Sequence, residues 1–262
     1  MSRPIITLTT DFGLQDHFTG VMKGVILTIE PRASIVDITH EVPKFDTMAA
    51  AFSIAETWRW FPEKTIHVIV IDPGVGSSRR PILAQASGHF FIAPDNGLLS
   101  PIYATQKTRV RHIENRKLFL NPISRTFHGR DVFAPSAAHL AKGVPPAQFG
   151  KPIQDFVRID FPRPQEIGNR IWSGIVLHVD YFGNLITNLP AAEFEGVATG
   201  SFELVIEAQK ITRFAQSYSD GQPGELLLVT GSSGYLEVAT NQSSAASKLR
   251  SKAGAPVKLT IY

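Results

Sequence analysis

The sequence predicts an α/β N-terminal domain, with a largely parallel mixed sheet flanked by helices, followed by a small all-β, barrel-like C-terminal domain. Three observations predict it. Strand and helix patterns alternate β-α-β-α-β up to residue 72, the order that builds a parallel sheet. The third strand, "TIHVIVID" at 65–72, shows no polar alternation, as expected for a strand covered on both faces. Beyond residue 170 every apolar run is short and bounded by turn residues, the texture of a barrel or sandwich.

The elements follow in order. "PIITLTT" (4–10) reads as a short buried strand. Phe18, Val21, Met22, Val25, Ile26 and Ile29 fall on one face at helical spacing, and Pro31 ends that helix. "SIVDI" (34–38) is the next strand, and "FDTMAAAFSIAETWRWF" (45–61) predicts a second helix closed by Pro62. "PILAQASGHFFIAP" (81–94) predicts a hairpin turning at Ser87-Gly88. A further helix is expected after His128, through "DVFAPSAAHLAKG". Near residue 144 the chain becomes rich in Pro and loses its periodicity. The boundaries expected from this are 1–150 for the α/β domain, 151–170 for an ordered surface linker and 171–262 for the β domain.

Composition narrows the function. Of 262 residues, 43% are hydrophobic and 19% charged, which leaves ample material for a core. The formal net charge is +3 with Lys and Arg scattered, so no basic stripe points to nucleic acid. Without cysteine there are no disulfides, thiolate metal sites or cysteine nucleophiles. No apolar stretch has the length of a membrane span. The N-terminus lacks a signal-peptide pattern, so the expected compartment is the cytoplasm. HExxH, GxSxG, Walker A and zinc spacings are all missing, and no metal or cofactor is expected.

Two carboxylates stand where strands end, Asp11 and Asp72, and ligands of open α/β sheets bind at strand ends. A turn or cap would also place an Asp there; Asp16 in particular is placed to cap the first helix. The "DFG" at 11–13 lacks the surroundings of a kinase metal triplet. "DPGVG" has one G-x-G and no dinucleotide fingerprint. It reads instead as a tight turn bringing Arg79 back toward Asp72, whose charge would be costly at the end of an apolar strand. His128 precedes Gly129 at the start of a helix, a place for a cap as well as a catalyst. "DYFGNLITN" (180–188) and "GSSGYLEVATNQ" (231–242) are polar turns of the β domain. The first suits a flat base, by stacking and hydrogen bonding.

In combination, "TTDFG", "IDPGVGSSRR", "APDNGLL", "FHGRDVFAPSAAHLA", "DYFGN" and "GSSGYLEVA" closely resemble the S-adenosyl-L-methionine (SAM) hydrolases. These are also called SAM hydroxide adenosyltransferases and are related to the fluorinase and chlorinase. The resemblance runs in order from about residue 4 to about residue 246. It implies a catalytic triad of Asp72, Arg79 and His128. It places Asp11 on the ribose hydroxyls, and Asp16 and Asp180 on the methionine ammonium. Phe182 and Asn184 would meet the adenine, with Tyr218 as a stacking partner, and Ser232 and Ser233 would approach the methionine carboxylate. The halogenase relatives carry an arginine at the position of Ser233, so carboxylate binding here would rest more on hydroxyls and backbone amides. The resemblance also implies a homotrimer, each active site lying between one subunit's N-terminal domain and its neighbour's C-terminal domain.

The chemistry so implied is hydrolysis of SAM to adenosine and L-methionine. A water held in line behind C5′ would be oriented by Asp72 and His128 acting as acceptors. Two alternatives share the scaffold: a SAM-dependent halogenase, which the carboxylate of Asp72 disfavours by repelling an anion, and a non-catalytic SAM- or adenosine-binding protein, which would not need the triad.

Overall fold

The computed structural model describes residues 3–262. The chain divides into two compact units, Met1–Phe161 and Pro162–Tyr262. No helix among the described residues is long and apolar enough to cross a membrane.

The first unit is built on a seven-stranded mixed sheet. Its elements begin with β1 (Ile5–Thr10), α1 (Phe18–Ile29), β2 (Ser34–Thr39), α2 (Thr47–Thr57) and β3 (Ile66–Val70). There follow β4 (Pro81–Ala86), β5 (His89–Pro94), α3 (Ser100–Thr105), β6 (Thr108–His112), α4 (Ala134–Ala141) and β7 (Pro152–Ile153). The strand order is β2-β1-β3-β5-β4-β6-β7. Pairs β1–β2, β1–β3 and β3–β5 are parallel, and the three pairs beyond β5 are antiparallel. The direction of winding reverses between β1 and β3, so the carboxyl ends of these two strands open a crevice.

The lack of polar alternation in β3 is explained by its two covers. Ile66, Val68 and Val70 pack with Met22 and Ile26 of α1 and Ala134, Ala137 and Ala138 of α4. Ile69 and, just beyond the strand, Ile71 pack on the other face with Ala50 and Ile54 of α2 and Ile102 of α3. The β4–β5 hairpin turns at Ser87 and Gly88, both left-handed (φ 47° and 79°), the backbone of a two-residue hairpin loop.

Three expectations change. The second helix starts at Thr47, because Asp46 caps it by accepting from the N–H of Met48 and Ala49 while Phe45 is left-handed (φ 66°). It ends at Thr57, and Trp58–Trp60 form a 3₁₀ turn. After His128 the chain first makes a π-helical turn, Gly129–Phe133, before α4. α3 and β6 have no counterpart in the sequence reading; six and five residues are too short to display a period.

The segment between residues 150 and 170 is ordered. The N–H of Val157 donates to Asp95 Oδ1 at 2.8 Å and that of Ile159 to Ser100 Oγ at 2.8 Å. The strand β8 (Gln165–Gly168) already belongs to the second unit.

That unit continues with β9 (Ile171–Val179), β10 (Leu185–Pro190), α5 (Gly196–Thr199), β11 (Phe202–Ile206) and β12 (Gln209–Ile211). β13 (Leu226–Thr230), β14 (Tyr235–Thr240), α6 (Ala245–Leu249) and β15 (Pro256–Ile261) complete it. Its antiparallel strands run β12-β11-β15-β9-β10-β14-β13, with β8 paired to β9. A bridge between Phe214 and Leu228 draws the ends together, so the barrel is nearly closed. Val176, Leu185, Leu204, Leu228, Leu236, Val238 and Leu259 fill its core.

One polar cluster interrupts the α2-side core of the first unit. His67, fully buried on β3, is hydrogen-bonded to Thr7 Oγ1 at 2.8 Å and to His89 Nδ1 at 3.2 Å, and stacks on Phe91. Burial, then the neighbouring His89, push His67 from 6.5 down to about 3. The unfolded chain therefore binds one more proton below pH 6.5. Stability should be intact above that pH and fall as the pH drops toward 3, by up to about 1.4 kcal/mol per pH unit. Urea unfolding across this window should show the slope in the wild type and a reduced slope in His67→Gln. Identical slopes in the two proteins would refute the assignment.

Candidate active site

The crevice at the ends of β1 and β3 is a cavity of about 230 Å³. Its polar lining includes Asp11, Asp72, Thr126 and His128. Phe12, Phe18, Phe45 and Phe127 line it with aromatic surface, and Phe18 meets Phe127 edge-on at 5.1 Å and Phe12 at 5.9 Å. Phe18, read from the sequence as part of a core-facing stripe, is thus a wall of the cavity.

Asp72 leaves β3 and enters a turn that brings Arg79 back. The N–H of Val75 donates to Asp72 O at 3.2 Å, Ser77 Oγ to Gly74 O at 2.6 Å and the N–H of Arg79 to Ser77 Oγ at 3.2 Å. Gly76 is required: its φ is +77°, and a Cβ there would lie 2.3 Å from the carbonyl oxygen of Arg125. Arg79 then grips Asp72 in a two-pronged bond, Nε to Oδ1 at 2.9 Å and Nη2 to Oδ2. Both side chains are more than nine-tenths buried. The guanidinium also lies over the ring of Phe133, 5.2 Å from its centre, so the π-helical turn supplies one wall of the arginine's slot.

The adjacent Arg80 turns the other way. It donates to Asp95 Oδ2 (2.7 Å) and to both oxygens of Asp155 (3.0 Å). Asn96 Nδ2 donates to the carbonyl of Ile71 at 2.9 Å. The "APDNGLL" residues thus anchor the chain on either side of the Asp72 turn.

Arg79 Nη2 also donates to His128 Nδ1 at 3.1 Å. A guanidinium has no acceptor, so Nδ1 is the unprotonated nitrogen and the neutral ring carries its hydrogen on Nε2. Burial, then the Arg79 charge, hold His128 below the ordinary histidine value, against the opposing pull of Asp72 and Asp131. The neutral imidazole therefore offers a donor, where the sequence reading expected an acceptor. Asp72 has further lone pairs that the two bonds from Arg79 leave free.

Asp11 accepts from the N–H of Phe45 at 2.9 Å. This bond fixes the carboxylate and helps hold Phe45, 68% exposed, in a conformation costly for a bulky side chain. The left-handed Phe45 leaves no sequence signal. Asp16 is exposed and outside the cavity lining. It is not the cap of α1, whose N-cap is His17, without a side-chain bond.

In the second unit, Asp180 and Asn184 close one turn. The N–H of Asn184 donates to Asp180 Oδ1 at 2.8 Å and its Nδ2 to Oδ2 at 2.9 Å. Phe182, 75% exposed, stands on the same turn. Ser232 is exposed and Ser233 half-buried in the turn after β13. Tyr218 donates its hydroxyl to Glu237 Oε1 at 2.8 Å. Glu237 carries no sequence signal, since one Glu in an apolar strand gives no pattern.

A carboxylate held beside a neutral imidazole, at the switch point of an open sheet, is the equipment of a small-molecule enzyme. Comparison supplies the family. Residues 6–150 match the SAM hydroxide adenosyltransferase N-terminal domain and residues 174–258 the C-terminal domain; the chain belongs to the SAM hydroxide adenosyltransferase family. It is 35% identical to an (R)-S-adenosyl-L-methionine hydrolase of Salinispora arenicola, over 99% of this chain and 98% of that protein. A fluorinase of an Actinoplanes species is 28% identical over 98% of this chain and 97% of that one. The crystal structure of an uncharacterized conserved protein from Thermotoga maritima superposes with a TM-score of 0.91 at 36% identity, covering 97% of this chain and 99% of that one.

The turn geometry makes a direct prediction. Gly76→Ala should force the 72–79 turn away from Arg125 and cost more than about 1 kcal/mol, a fall of roughly 2–4 °C or more in melting temperature. A calorimetric scan checks it; an unshifted transition would show that the turn does not need glycine.

Proposed function

We propose that the chain hydrolyses S-adenosyl-L-methionine to adenosine and L-methionine. The observation that carries this reading is the buried Asp72–Arg79 pair with the donor face of His128 beside it, in one cavity with Asp11. A sulfonium carbon is already activated toward displacement, so the protein need only hold water in line behind C5′ and keep other nucleophiles out. Asp72 accepts a hydrogen bond from the water, and His128 Nε2 donates to its oxygen. The C5′–O bond forms as the C5′–S bond breaks; the electron pair goes to sulfur, which leaves as neutral methionine. The excess proton passes to Asp72 late, or to solvent. In this reading Asp11 takes the ribose hydroxyls, Asp16 and Asp180 flank the ammonium, Phe182, Asn184 and Tyr218 receive the adenine, and Ser232 and Ser233 receive the carboxylate.

Chloride would meet a carboxylate at the nucleophile position. Two like unit charges 4 Å apart repel by about 4 kcal/mol at an effective dielectric of 20, and the Arg79 charge is already engaged. Adenosine, not a 5′-halogenated nucleoside, is the expected product even in high chloride. In oxygen-18 water the label should enter the 5′-hydroxyl. Asp72→Asn should lower turnover about 10²–10⁴-fold while SAM binding, followed by titration calorimetry, persists. Unlabelled adenosine, or parallel loss of binding and turnover, would overturn the mechanism.

Assembly as a cytoplasmic homotrimer, each active site completed by a neighbour's second unit, is part of the same proposal; it rests on the family resemblance. Mixing His128→Ala with Asn184→Ala subunits should then regain activity, because some interfaces pair two intact halves. Mixed trimers verified by mass that stay inactive would place each site within one chain.

A further inference from the structure

Glu237 is a buried titratable group that the mechanism above does not use. It sits on β14, 3% exposed. Its neighbours Leu236 and Val238 point into the barrel core. Glu237 points to the other face, across from Val229 of β13 and Ile186 of β10, where Ala215, Leu227, Val229 and Ala239 form an apolar patch. A carboxylate there is costly unless it is paired. Its partner is a neutral one, the hydroxyl of Tyr218. Burial raises the pKa of Glu237, and nearby Asp180 adds to this, against the bond from Tyr218. Among the described residues, no cation is one of the groups that shift it. A hydrophobic pair would fill this space at lower cost, so the residue answers a need other than stability.

That need is visible in what Glu237 touches. Tyr218 stands on a short 3₁₀ turn, Tyr218–Asp220, in the loop between β12 and β13. The loop backbone has its own anchors. Ser217 and Asp220 form a capping box, Asn241 Nδ2 donates to Gly221 O at 2.9 Å, and Pro223 bridges to Asn241. None of these fixes the Tyr218 ring, which is 43% exposed; its hydroxyl bond to Glu237 does. The second oxygen of Glu237 packs on the turn that carries Ser232 and Ser233: a Cβ on Gly231 would lie 2.3 Å from Oε2.

We infer that Glu237 is a positioning residue for nucleoside recognition, holding the Tyr218 ring upright as a stacking face for the purine. The inference rests on the functional reading above, in which Tyr218 receives the adenine. An aromatic plane that is already fixed loses less freedom when a base stacks on it. The hydrogen bond is thus expressed as affinity for the adenosine part of the substrate, not as rate at C5′.

The test uses Glu237→Ala, Glu237→Gln, Tyr218→Phe and the double variant Tyr218→Phe/Glu237→Ala in the full chain. Calorimetry gives the adenosine Kd, and steady-state assays give KM and kcat for SAM. Glu237→Ala and Tyr218→Phe should each weaken adenosine binding and raise KM about three- to tenfold, with a smaller change in kcat. The double variant should be no weaker than the poorer single variant, because one interaction is removed in both. Glu237→Gln should recover most of the loss, since its amide oxygen accepts the same hydroxyl. Tyr218→Phe leaves the loop anchors in place, so a folding failure of Glu237→Ala does not end the test. Unchanged adenosine affinity in Tyr218→Phe, additive losses in the double variant, or Glu237→Gln as damaging as Glu237→Ala would overturn the inference. Wild-type protein that neither binds adenosine nor releases it from SAM would instead overturn the functional reading.

Discussion

The first unit's cavity is organised around one buried ion pair. Asp72 and Arg79 are both withdrawn from water, where neither charge would be stable without the other. Everything around them maintains that pairing. The apolar strand β3 delivers the carboxylate, the 72–79 turn returns the guanidinium, and Phe133 of the π-helical turn covers its face. The same guanidinium fixes the protonation of His128 by donating to Nδ1. One side chain thereby sets the acceptor and the donor that a water molecule would meet.

The outline of this arrangement was legible in the sequence because it is written in strong local signals. Continuous apolar character marked β3 as a central strand, Ser87-Gly88 marked the hairpin, and the spacing of Asp72 and Arg79 across a glycine turn marked their approach. Most of the features that escaped have tertiary causes. Phe45 takes a left-handed backbone that nothing in its side chain favours, supported by the carboxylate of Asp11, remote in sequence. The π-helical turn escaped because five residues are too few to display a period of their own. The donor character of His128 follows from which ring nitrogen faces Arg79, and residue order holds no trace of that. Glu237 was hidden because a single acidic residue among apolar neighbours looks like an outward-facing position, and only the covering loop buries it.

The two units use carboxylates in contrasting ways. In the first, a guanidinium grips Asp72 in a two-pronged bond away from water. In the second, Asp180 is tied by amide donors of Asn184, while Glu237 meets only a phenol. The first sets a partner of opposite charge against the carboxylate. The second holds rings and turns in place through hydrogen bonds from neutral donors. The first unit thus seats one ion pair beside a largely aromatic cavity, and the second builds its turns on neutral donors.

The 72–79 turn also parts two neighbouring arginines. β3 ends at Val70 and β4 begins at Pro81, and both strands are locked in register within the same sheet. The chain between them folds back through tight turns, and its two arginines point to different partners: Arg79 to Asp72, Arg80 to Asp95 and Asp155. Two neighbouring residues of one loop are thereby divided between separate carboxylate partners, and an exchange of their directions would leave Asp72 and Asp95 without the guanidinium each now holds.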